Sequence, residues 1–477
     1  MAMLRFSCVN CAHITESSDL NPSCSRCGSA VMLESHVRTG VRRDELEALP
    51  PGVWRYRALL PSVNPERLVT LGEGGTPLLR AERLGRELGL RNLLIKDESR
   101  NPTGSFMDRG VTVLLSLAAE RGVKECTCVT TGNLGASLAA YCAKAAMDSR
   151  VRVHPNTDQG KLYQMLAYGA EVATASARPE KGMAAHSLAV TARNPYLLEG
   201  EKTTAFEILQ DLGWRTPDVI VVPVGTGGHL SMIWRAMGQM RRSGLVDKSS
   251  CRLMGVQVED GAHLARNGKG ETRTPRGTSV AELEDSEPYF HGEAARAIKD
   301  SGGAPVSTTE GETLRATGLL ARTEGIFAEP ASASVIASLR EAELSGLIHG
   351  DDNVVCIITG AGLKDPRAVS RVAREIKRLA VKPPFVMPVS QIGGTKLGLL
   401  RLLSSAPGYG YDIWRQLRME RSITTASVYQ HLEELEGLGL VRRGGAVTAR
   451  GRTRVVYELT KRGTEVLKMA TTLERAT

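Results

Sequence analysis

Short apolar runs alternate with amphipathic stretches through the middle of the chain, from about residue 40 to residue 380. Helical periodicity, as over Ala136–Ala146, follows several of these runs. Strands that alternate with helices in this way predict an α/β fold with parallel sheets covered by helices. The runs that we expect to form strands buried on both faces are Leu93–Ile95, Cys126–Val129, Val219–Val222 and Val354–Ile358.

A different pattern begins after a proline-containing stretch, residues 381–393, which predicts a linker. Apolar positions then mark three helices, Lys396–Ser404, Asp412–Met419 and the capped stretch Thr424–Leu435. A β-hairpin with an arginine-rich tip follows them. Three helices and a basic hairpin are typical of a winged helix-turn-helix domain, which we expect over residues 394–477.

Composition describes an ordinary globular chain of 477 residues, with 42% hydrophobic and 24% charged residues. No apolar run approaches the length of a membrane span, and the first residues lack the apolar stretch of a signal peptide. We therefore expect a cytoplasmic protein with no membrane partner. The net charge of +9 is uneven: residues 388–477 hold 14 Lys/Arg against 8 Asp/Glu. This excess predicts a polyanionic partner such as DNA.

Two C-x2-C pairs lie near the start of the chain, and their spacing predicts a tetrahedral metal site. The four cysteines are Cys8, Cys11, Cys24 and Cys27. We expect a structural Zn²⁺ ribbon over residues 1–38, since four protein ligands leave no open position for a substrate. Iron in a rubredoxin-like site and four unconnected buried cysteines are the alternatives. The other five of the nine cysteines fall in apolar stretches and predict reduced core thiols.

Glycine-containing turns follow three of the predicted strands, at residues 130–137, 223–229 and 359–362. A strand, a glycine turn and a helix N-terminus together direct backbone N–H groups and the helix dipole at one point, which suits an anion. Ligands bind at the carboxyl ends of strands in open α/β sheets. We therefore expect an anion site at this edge; the alternative is that these glycines serve only the turns.

The run Asn101–Gly110 and several shorter motifs resemble the threonine synthases, fold-type-II enzymes that use pyridoxal 5'-phosphate (PLP). The resemblance spans roughly residues 4–370. It implies a tryptophan synthase β-like body over residues 39–380, built of two α/β subdomains, with PLP as cofactor. The shorter motifs are Gly52–Arg57, Gly72–Pro77, Lys96–Glu98, Thr131–Asn133, Gly160–Lys161, Met165–Ala170, Asn194–Tyr196, Glu199–Gly200 and Gly225–Gly228.

The resemblance implies roles for individual residues. Asn133 matches the asparagine that hydrogen-bonds the ring hydroxyl of the cofactor, and Thr359 matches the hydroxyl residue that faces the pyridine nitrogen. The loop that cradles the cofactor phosphate is matched by Gly225, Thr226, Gly227, Gly228 and His229.

Met107 stands where the family has the lysine that forms the Schiff base with PLP. A thioether neither condenses with an aldehyde nor transfers a proton, so both tasks of that lysine are lost. Methionine instead fills space, either against the cofactor ring or in its place, so that PLP is bound non-covalently or lost. Lys96 and Lys161 are the other lysines in matching motifs, and either one taking over the role is an alternative.

Residues that grip the substrate phosphate in the family also differ here. The Asn-Ser pair is replaced by Thr191 and Ala192, and the arginine by Leu197. Losing a charged bidentate donor weakens phosphate binding far more than a neutral exchange does. Leu134 replaces the usual threonine, while Arg193 is a candidate to compensate from a shifted position. The pattern indicates a repurposed or retired site.

The last domain resembles the PadR-type regulators through Gly410–Tyr411, Thr425–Tyr429 and Tyr457–Gly463. In such a domain the recognition helix enters the major groove and the wing contacts phosphates. The alternative is a winged helix used for protein contacts or dimerisation. Ser427, Gln430 and His431 are the expected base contacts, and Arg442, Arg443, Arg450, Arg452 and Arg454 the expected phosphate contacts.

A degenerate enzyme body joined to a DNA-reading domain predicts a ligand-responsive transcriptional regulator, acting as a homodimer. Its effector would be related to PLP, an amino acid or an amino-acid phosphate. One alternative is an active threonine synthase or related lyase with an altered substrate. A third hypothesis is a non-catalytic scaffold that pairs with an active paralogue.

Overall fold

Two compact units, Met1–Leu379 and Ala380–Thr477, make up the chain in the computed structural model. The predicted linker at 381–393 lies outside the described residues except for Gly393, and the predicted limits of the ribbon remain a prediction. The structure describes residues 3–34, 40–130, 132–154, 157–175, 186–247, 250–258, 264, 289–375, 393–420, 423–449 and 452–474.

The chain begins with a small antiparallel sheet in the order β2-β1-β3: β1 (Leu4–Cys8), β2 (Ile14–Ser17) and β3 (Val31–Leu33). Phe6 of β1 is completely buried and meets the ring of Tyr196 edge-on, with 5.8 Å between the centroids. The amide of Asn194 also donates to the carbonyl of Leu20 at 2.7 Å. This sheet therefore packs on the body of the same unit.

A four-stranded parallel sheet in the order β8-β7-β6-β9 forms the smaller part of the body. Val129 near the end of β6 is 63% exposed, so β6 is not buried on both faces as the apolar run predicted. The strands and their helices are β6 (Glu125–Thr130), β7 (Asp148–Val153), β8 (Glu171–Thr174), β9 (Ser187–Val190), α3 (Met107–Glu120), α4 (Asn133–Lys144), α5 (Gln159–Ala167) and α6 (Pro195–Glu201).

A six-stranded sheet in the order β12-β11-β10-β13-β5-β4 forms the larger part, and only β4 runs antiparallel to its neighbour. Apolar clusters cover both faces, as expected for a sheet between two helix layers. The strands are β4 (Leu78–Arg80), β5 (Asn92–Asp97), β10 (Val219–Pro223), β11 (Arg252–Val258), β12 (Ala304–Thr308) and β13 (Asn353–Ile358). The helices are α1 (Arg43–Glu47), α2 (Glu82–Leu88), α7 (Thr203–Asp211), α8 (Gly228–Arg242), α9 (His291–Asp300), α10 (Glu310–Glu324), α11 (Pro330–Leu344) and α12 (Pro366–Glu375). The predicted α/β class with parallel sheets is confirmed.

The second unit has the three predicted helices and the hairpin, and adds a short strand and a final helix that the pattern did not reveal. Thr424 caps the third helix, since its hydroxyl accepts from the backbone N–H of Ser427 at 3.3 Å. The elements are α13 (Gly394–Ser405), β14 (Gly408–Tyr409), α14 (Gly410–Glu420), α15 (Thr425–Gly437), β15 (Val441–Ala449), β16 (Arg452–Leu459) and α16 (Lys461–Glu474).

Within the described residues, no helix has the length and apolar character needed to cross a membrane.

Candidate functional site

Met107 is the first residue of α3 and is half-buried. The loop before it is tied to the end of β13: the backbone N–H of Phe106 donates to the carbonyl of Thr359 at 3.0 Å. The ring of Phe106 stacks on the imidazole of His229 in the first turn of α8, with centroids 4.4 Å apart and planes 17° apart. Met107 therefore lies beside the ends of β10 and β13, at the edge where parallel sheets bind ligands.

A buried ionic network anchors this helix two residues beyond Met107. The guanidinium of Arg109 is completely buried and contacts Glu98 at 2.5 Å and Glu207 at 2.6 Å. Lys96 pairs with Glu207 at 2.9 Å and with Asp211 at 3.1 Å, and donates to the Thr76 carbonyl at 2.6 Å. The amine of Lys96 is thus committed to the network, which argues against its taking over the role of the missing lysine.

The glycine loop after β10 has the geometry of an anion cradle. Gly227 caps α8 with a φ of 87°, and a Cβ there would lie 2.8 Å from the carbonyl oxygen of Phe290. The imidazole of His291, at the start of α9, lies 2.7 Å from the carbonyl oxygen of Gly225. Two helices therefore begin next to this loop. Backbone N–H groups and the positive end of the α8 dipole suit a phosphate here.

His229 follows the glycine loop and is 7% exposed. Burial lowers the pKa of its imidazole to about 4, so the ring is neutral at neutral pH. Its Nε2 lies 3.2 Å from the Thr204 hydroxyl, whereas Nδ1 is buried with no hydrogen-bond partner. An orphaned buried nitrogen in this position is a feature that a ligand would satisfy.

Asn133 begins α4 and reaches across to the larger sheet. Its amide nitrogen donates to Glu329 Oε2 at 2.9 Å, and Glu329 Oε1 lies 3.1 Å from the amine of Lys161. The hydroxyl of Thr359 lies 2.8 Å from that of Ser332. Oδ1 of Asn133 is buried and has no hydrogen-bond partner. We call Met107, Asn133, Gly225–Gly228, His229 and Thr359 the strand-end cleft.

The strand-end cleft fits a phosphorylated pyridine ring, because it offers a glycine cradle and two orphaned polar atoms, Asn133 Oδ1 and His229 Nδ1. It does not fit a covalent link at Met107. The other buried amines nearby are engaged: Lys161 pairs with Glu329, and Lys364 donates to the carbonyl of Thr103 at 2.7 Å. Burial lowers the pKa of Lys364 to about 8.

None of the residues that the resemblance places at the substrate phosphate offers a charged donor there: Thr191 has a buried hydroxyl without a hydrogen-bond partner, and the others are apolar or directed elsewhere. Leu197 is completely buried, and its Cγ lies 2.6 Å from where a Cβ on Gly110 would be, so it packs against α3. Leu134 is also buried. Arg193 is exposed, with its guanidinium 5.4 Å from the ring centroid of Tyr289. That contact argues against Arg193 compensating for the missing arginine.

Glu329 and His291 were missed by sequence reasoning, although both touch the strand-end cleft or its loop. A signal for Glu329 exists, because a carboxylate directly before a helix-starting proline, Pro330, is well placed to face a strand end. His291 follows a long stretch without periodicity, and nothing in its surroundings marks it.

The four N-terminal cysteines come together: their sulfur atoms all lie within 4.8 Å of one another. Cys8 and Cys27 are 3.5 Å apart, and Cys11 and Cys24 are 3.6 Å apart. Backbone N–H groups of Asn10 and Arg26 point at two of the sulfurs, at 3.4 Å each. A hydrogen bond from the Ser29 hydroxyl lowers the pKa of Cys27 to about 6. Four thiols so arranged could hold a tetrahedral metal ion.

In α15, the helix predicted to read DNA, Ser427 is half-buried and Gln430 is exposed. Both Gln430 and His431 lie 3.2 Å from carboxylate oxygens of Glu434, which also pairs with Lys396 at 2.8 Å. The side chains of Gln430 and His431 therefore already have a partner, Glu434, within the same helix, and a contact with a base would have to replace it.

The arginines of the wing also have acidic neighbours. Arg442 pairs with Glu458 at 2.7 Å, and Arg443 pairs with Glu436 at 2.9 Å. These pairs were missed by sequence reasoning, since the acids come from other elements. Arg450 lies outside the described residues, as do the side chains of Arg452 and Arg454, whose backbone belongs to β16.

Two protein families match this chain. Residues 69–360 match the family described as pyridoxal-phosphate dependent enzyme, and residues 399–469 match the transcriptional regulator PadR-like family. Threonine synthase of Methanocaldococcus jannaschii is 36% identical over 386 residues, which cover 77% of this chain and 95% of the relative. That of Methanosarcina acetivorans is 36% identical over 388 residues, covering 78% and 95%.

Solved structures agree on the fold. The processed form of threonine deaminase isoform 2 from Solanum lycopersicum has a TM-score of 0.52 at 17% identity, covering 74% of this chain and 98% of its own. An L-serine ammonia-lyase from Rhizomucor miehei has a TM-score of 0.54 at 17% identity, covering 63% and 98%.

Proposed function

Since this chain belongs to the family of pyridoxal-phosphate dependent enzymes and has threonine synthases among its relatives, we propose that it is a threonine synthase-like protein converted into a DNA-binding transcriptional regulator. Its body senses a small molecule and does not catalyse, and its PadR-like domain reads DNA. The observation that supports the proposal is Met107, which begins α3 and which the family resemblance matches to the lysine that supplies the reacting amine.

Loss of catalysis follows from the chemistry of the side chains present. PLP supplies an aldehyde and an electron-withdrawing ring when it is bound, and a lysine must both hold it and move protons. The thioether of Met107 does neither. Lys96, Lys161 and Lys364 are each engaged with a carboxylate or a carbonyl, so none of them stands ready as a replacement.

DNA binding is supported by the match to the PadR-like family and by the basic excess of the last 90 residues. Gln430 is exposed on the recognition helix, and exposed arginines lie on the wing. We propose that Ser427, Gln430 and His431 contact bases and that the wing arginines contact phosphates. A homodimer would present two such domains to a pair of half-sites, and the four cysteines would hold a structural Zn²⁺.

The test is fluorescence anisotropy with a labelled DNA fragment from upstream of the gene for this chain, in competition with unrelated DNA at moderate salt. We expect selective binding of at least about tenfold, and a shift in affinity when an effector is added. Arg442→Ala serves as the reader variant and Arg340→Ala, in a helix of the first unit, as the matched control. Equal affinity for both DNAs would contradict the proposal.

A working lyase is the second candidate, and the 36% identity across 95% of two threonine synthases favours it. Purified protein would then turn over homoserine phosphate or a related substrate, and borohydride would attach the cofactor covalently to the chain. If wild type shows no turnover, the variant Met107→Lys decides what is missing. Restored turnover in that variant would mean that only the amine had been lost. Continued inactivity would implicate the apolar residues Leu134 and Leu197 as well.

A further inference from the structure

The glycine loop Gly225–Gly228, which we call the phosphate end of the strand-end cleft, keeps the geometry of an anion cradle. Gly227 adopts a left-handed conformation that a side chain would strain, and both Gly227 and Gly228 lack room for a Cβ, which would lie 2.8 Å from neighbouring atoms. The first turn of α8, a helix of 15 residues, points its N–H groups at this loop. His229 adds a second, independent feature, since the residue is 7% exposed and its Nδ1 lacks a partner.

Asn133, at what we call the ring end of the cleft, has an oxygen oriented to accept a hydrogen bond from a ligand. Asn133 is held by Glu329 through its amide nitrogen, which leaves Oδ1 buried and without a partner. An oxygen in this state accepts a hydrogen bond from a ligand hydroxyl with little loss, because its orientation is already set. The hydroxyl of Thr359, 2.8 Å from Ser332, follows β13 of the six-stranded sheet, whereas Asn133 follows β6 of the four-stranded sheet.

Met107 begins α3 directly after Phe106, whose ring stacks on His229. The half-buried thioether of Met107 offers contact to a ring but forms no bond with an aldehyde. A lysine would add affinity to the aldehyde form of a ligand alone. Without it, every contact that remains is directed at the phosphate and the ring, which the aldehyde and amine forms share.

A second phosphate meets no charged donor at the positions that the resemblance assigns to it, where Thr191 offers only a hydroxyl. Leu134 and Leu197 are buried and apolar, and Arg193 is exposed against Tyr289. An amino-acid phosphate therefore lacks the charged donors that it would need beside the cofactor position. This argues against a second phosphate bound beside the one in the glycine cradle.

We propose that the strand-end cleft binds a 5'-phosphorylated pyridoxyl ring reversibly and accepts its aldehyde and amine forms alike. The ligands are PLP and pyridoxamine 5'-phosphate. The inference deepens the proposed function and rests on it in one respect, namely that this ligand is the effector; binding itself is independent of DNA.

The experiment is isothermal titration of the full chain with PLP, with pyridoxamine 5'-phosphate and with pyridoxal, which lacks the phosphate. We expect Kd values for the two phosphorylated forms within about threefold of each other, and binding of pyridoxal at least about a hundredfold weaker. Met107→Lys should favour PLP over the amine form by at least about tenfold, since the new amine can bond only with the aldehyde.

Thr226→Glu tests the cradle, because a carboxylate in the half-exposed loop repels a phosphate. Its matched control is Thr216→Glu, the same change at a similarly half-exposed residue before the opposite end of β10. We expect at least about tenfold weaker binding of both phosphorylated forms by the first variant and unchanged binding by the second.

Three results would overturn the inference: no binding of either phosphorylated form, a preference of wild type for PLP above tenfold, or borohydride fixing PLP on Lys161 or Lys364 as seen by peptide mass. The last measurement uses wild type and stands even if Met107→Lys fails to fold. Anisotropy with DNA and no ligand tests the reader separately. Ligand binding without DNA binding would contradict the proposed regulator but would support the proposed ligand site.

Discussion

Replacing Arg109 by methionine tests the buried network that holds α3 and, with it, Met107. Arg109 is completely buried and bonds both carboxylates, Glu98 and Glu207. Methionine keeps much of the volume and removes the charge. Glu207 retains Lys96 at 2.9 Å, while Glu98 keeps only neutral partners such as Asn101.

Breaking a buried pair by removing one partner costs about 3–5 kcal/mol, because an uncompensated charge stays buried. We expect the upper part of that range, since one guanidinium serves two carboxylates. The matched control is Arg91→Met. Arg91 and Asp351 are 2.6 Å apart but 78% and 80% exposed, and such surface pairs contribute about 0–1 kcal/mol.

The pH dependence sharpens this prediction. Arg109 holds the pKa of Glu98 and Glu207 below their ordinary value of 4.5 against the opposing effect of burial. Their contribution to stability is therefore present above about pH 4.5 and is lost as the pH falls through the lowered values. Without Arg109, burial raises the pKa of Glu98 instead, and protonation at lower pH relieves the buried charge. The deficit of Arg109→Met should thus shrink between pH 7 and pH 5.

Urea unfolding followed by tryptophan fluorescence measures the effect, because Trp54, Trp214 and Trp234 all lie in the first unit. Adding Glu98→Gln to the variant should recover part of the loss. The reasoning would be refuted if Arg109→Met lay within about 1 kcal/mol of Arg91→Met, or if its deficit grew as the pH fell.

Three further predictions concern other parts of the chain. Cys27→Ser should reduce bound metal to background by mass spectrometry of the purified protein, whereas Cys251→Ser, outside the four-cysteine cluster, should retain it. Burial raises the pKa of Glu201 from 4.5 to about 8, so the folded protein holds a proton there that the unfolded chain has released. The free energy of unfolding of wild type should therefore fall by about 1.4 kcal/mol for each pH unit as the pH rises from 4.5 to 8. Glu201→Gln should lack that slope; parallel stability curves for the two would contradict it. Gln430→Ala should cost about 1–3 kcal/mol on specific DNA with an unchanged salt slope, whereas Arg442→Ala should weaken binding to all DNA and reduce the slope by about one. Identical salt slopes for the two variants would argue against the proposed division between base and phosphate contacts.

Periodicity was enough to anticipate the α/β class and most buried strands, because it reports which face of each element avoids water. The prediction that Cys126–Val129 forms a strand buried on both faces was wrong, since Val129 lies near the end of β6 and is 63% exposed. Spacing anticipated the four-cysteine cluster. The assignment of Asn133, the glycine loop and Thr359 to one cofactor site came from the resemblance and stays a prediction. Asn133 follows β6 of the four-stranded sheet, whereas the other two follow β10 and β13 of the six-stranded sheet. The short strand β14 and the helix α16 carried no comparable pattern.

The sequence by itself shows that position 107 holds no amine. It does not show which lysines are paired with acids or carbonyls, because those contacts join distant segments. Arg109 and Glu207 are separated by 98 residues, and Asn133 and Glu329 by 196. Local pattern reports how each side chain prefers to face water, but it carries no information about which residue packing brings opposite it. Packing alone therefore engaged Lys96 and Lys161, set the free oxygen of Asn133, and placed acids beside the arginines of the wing.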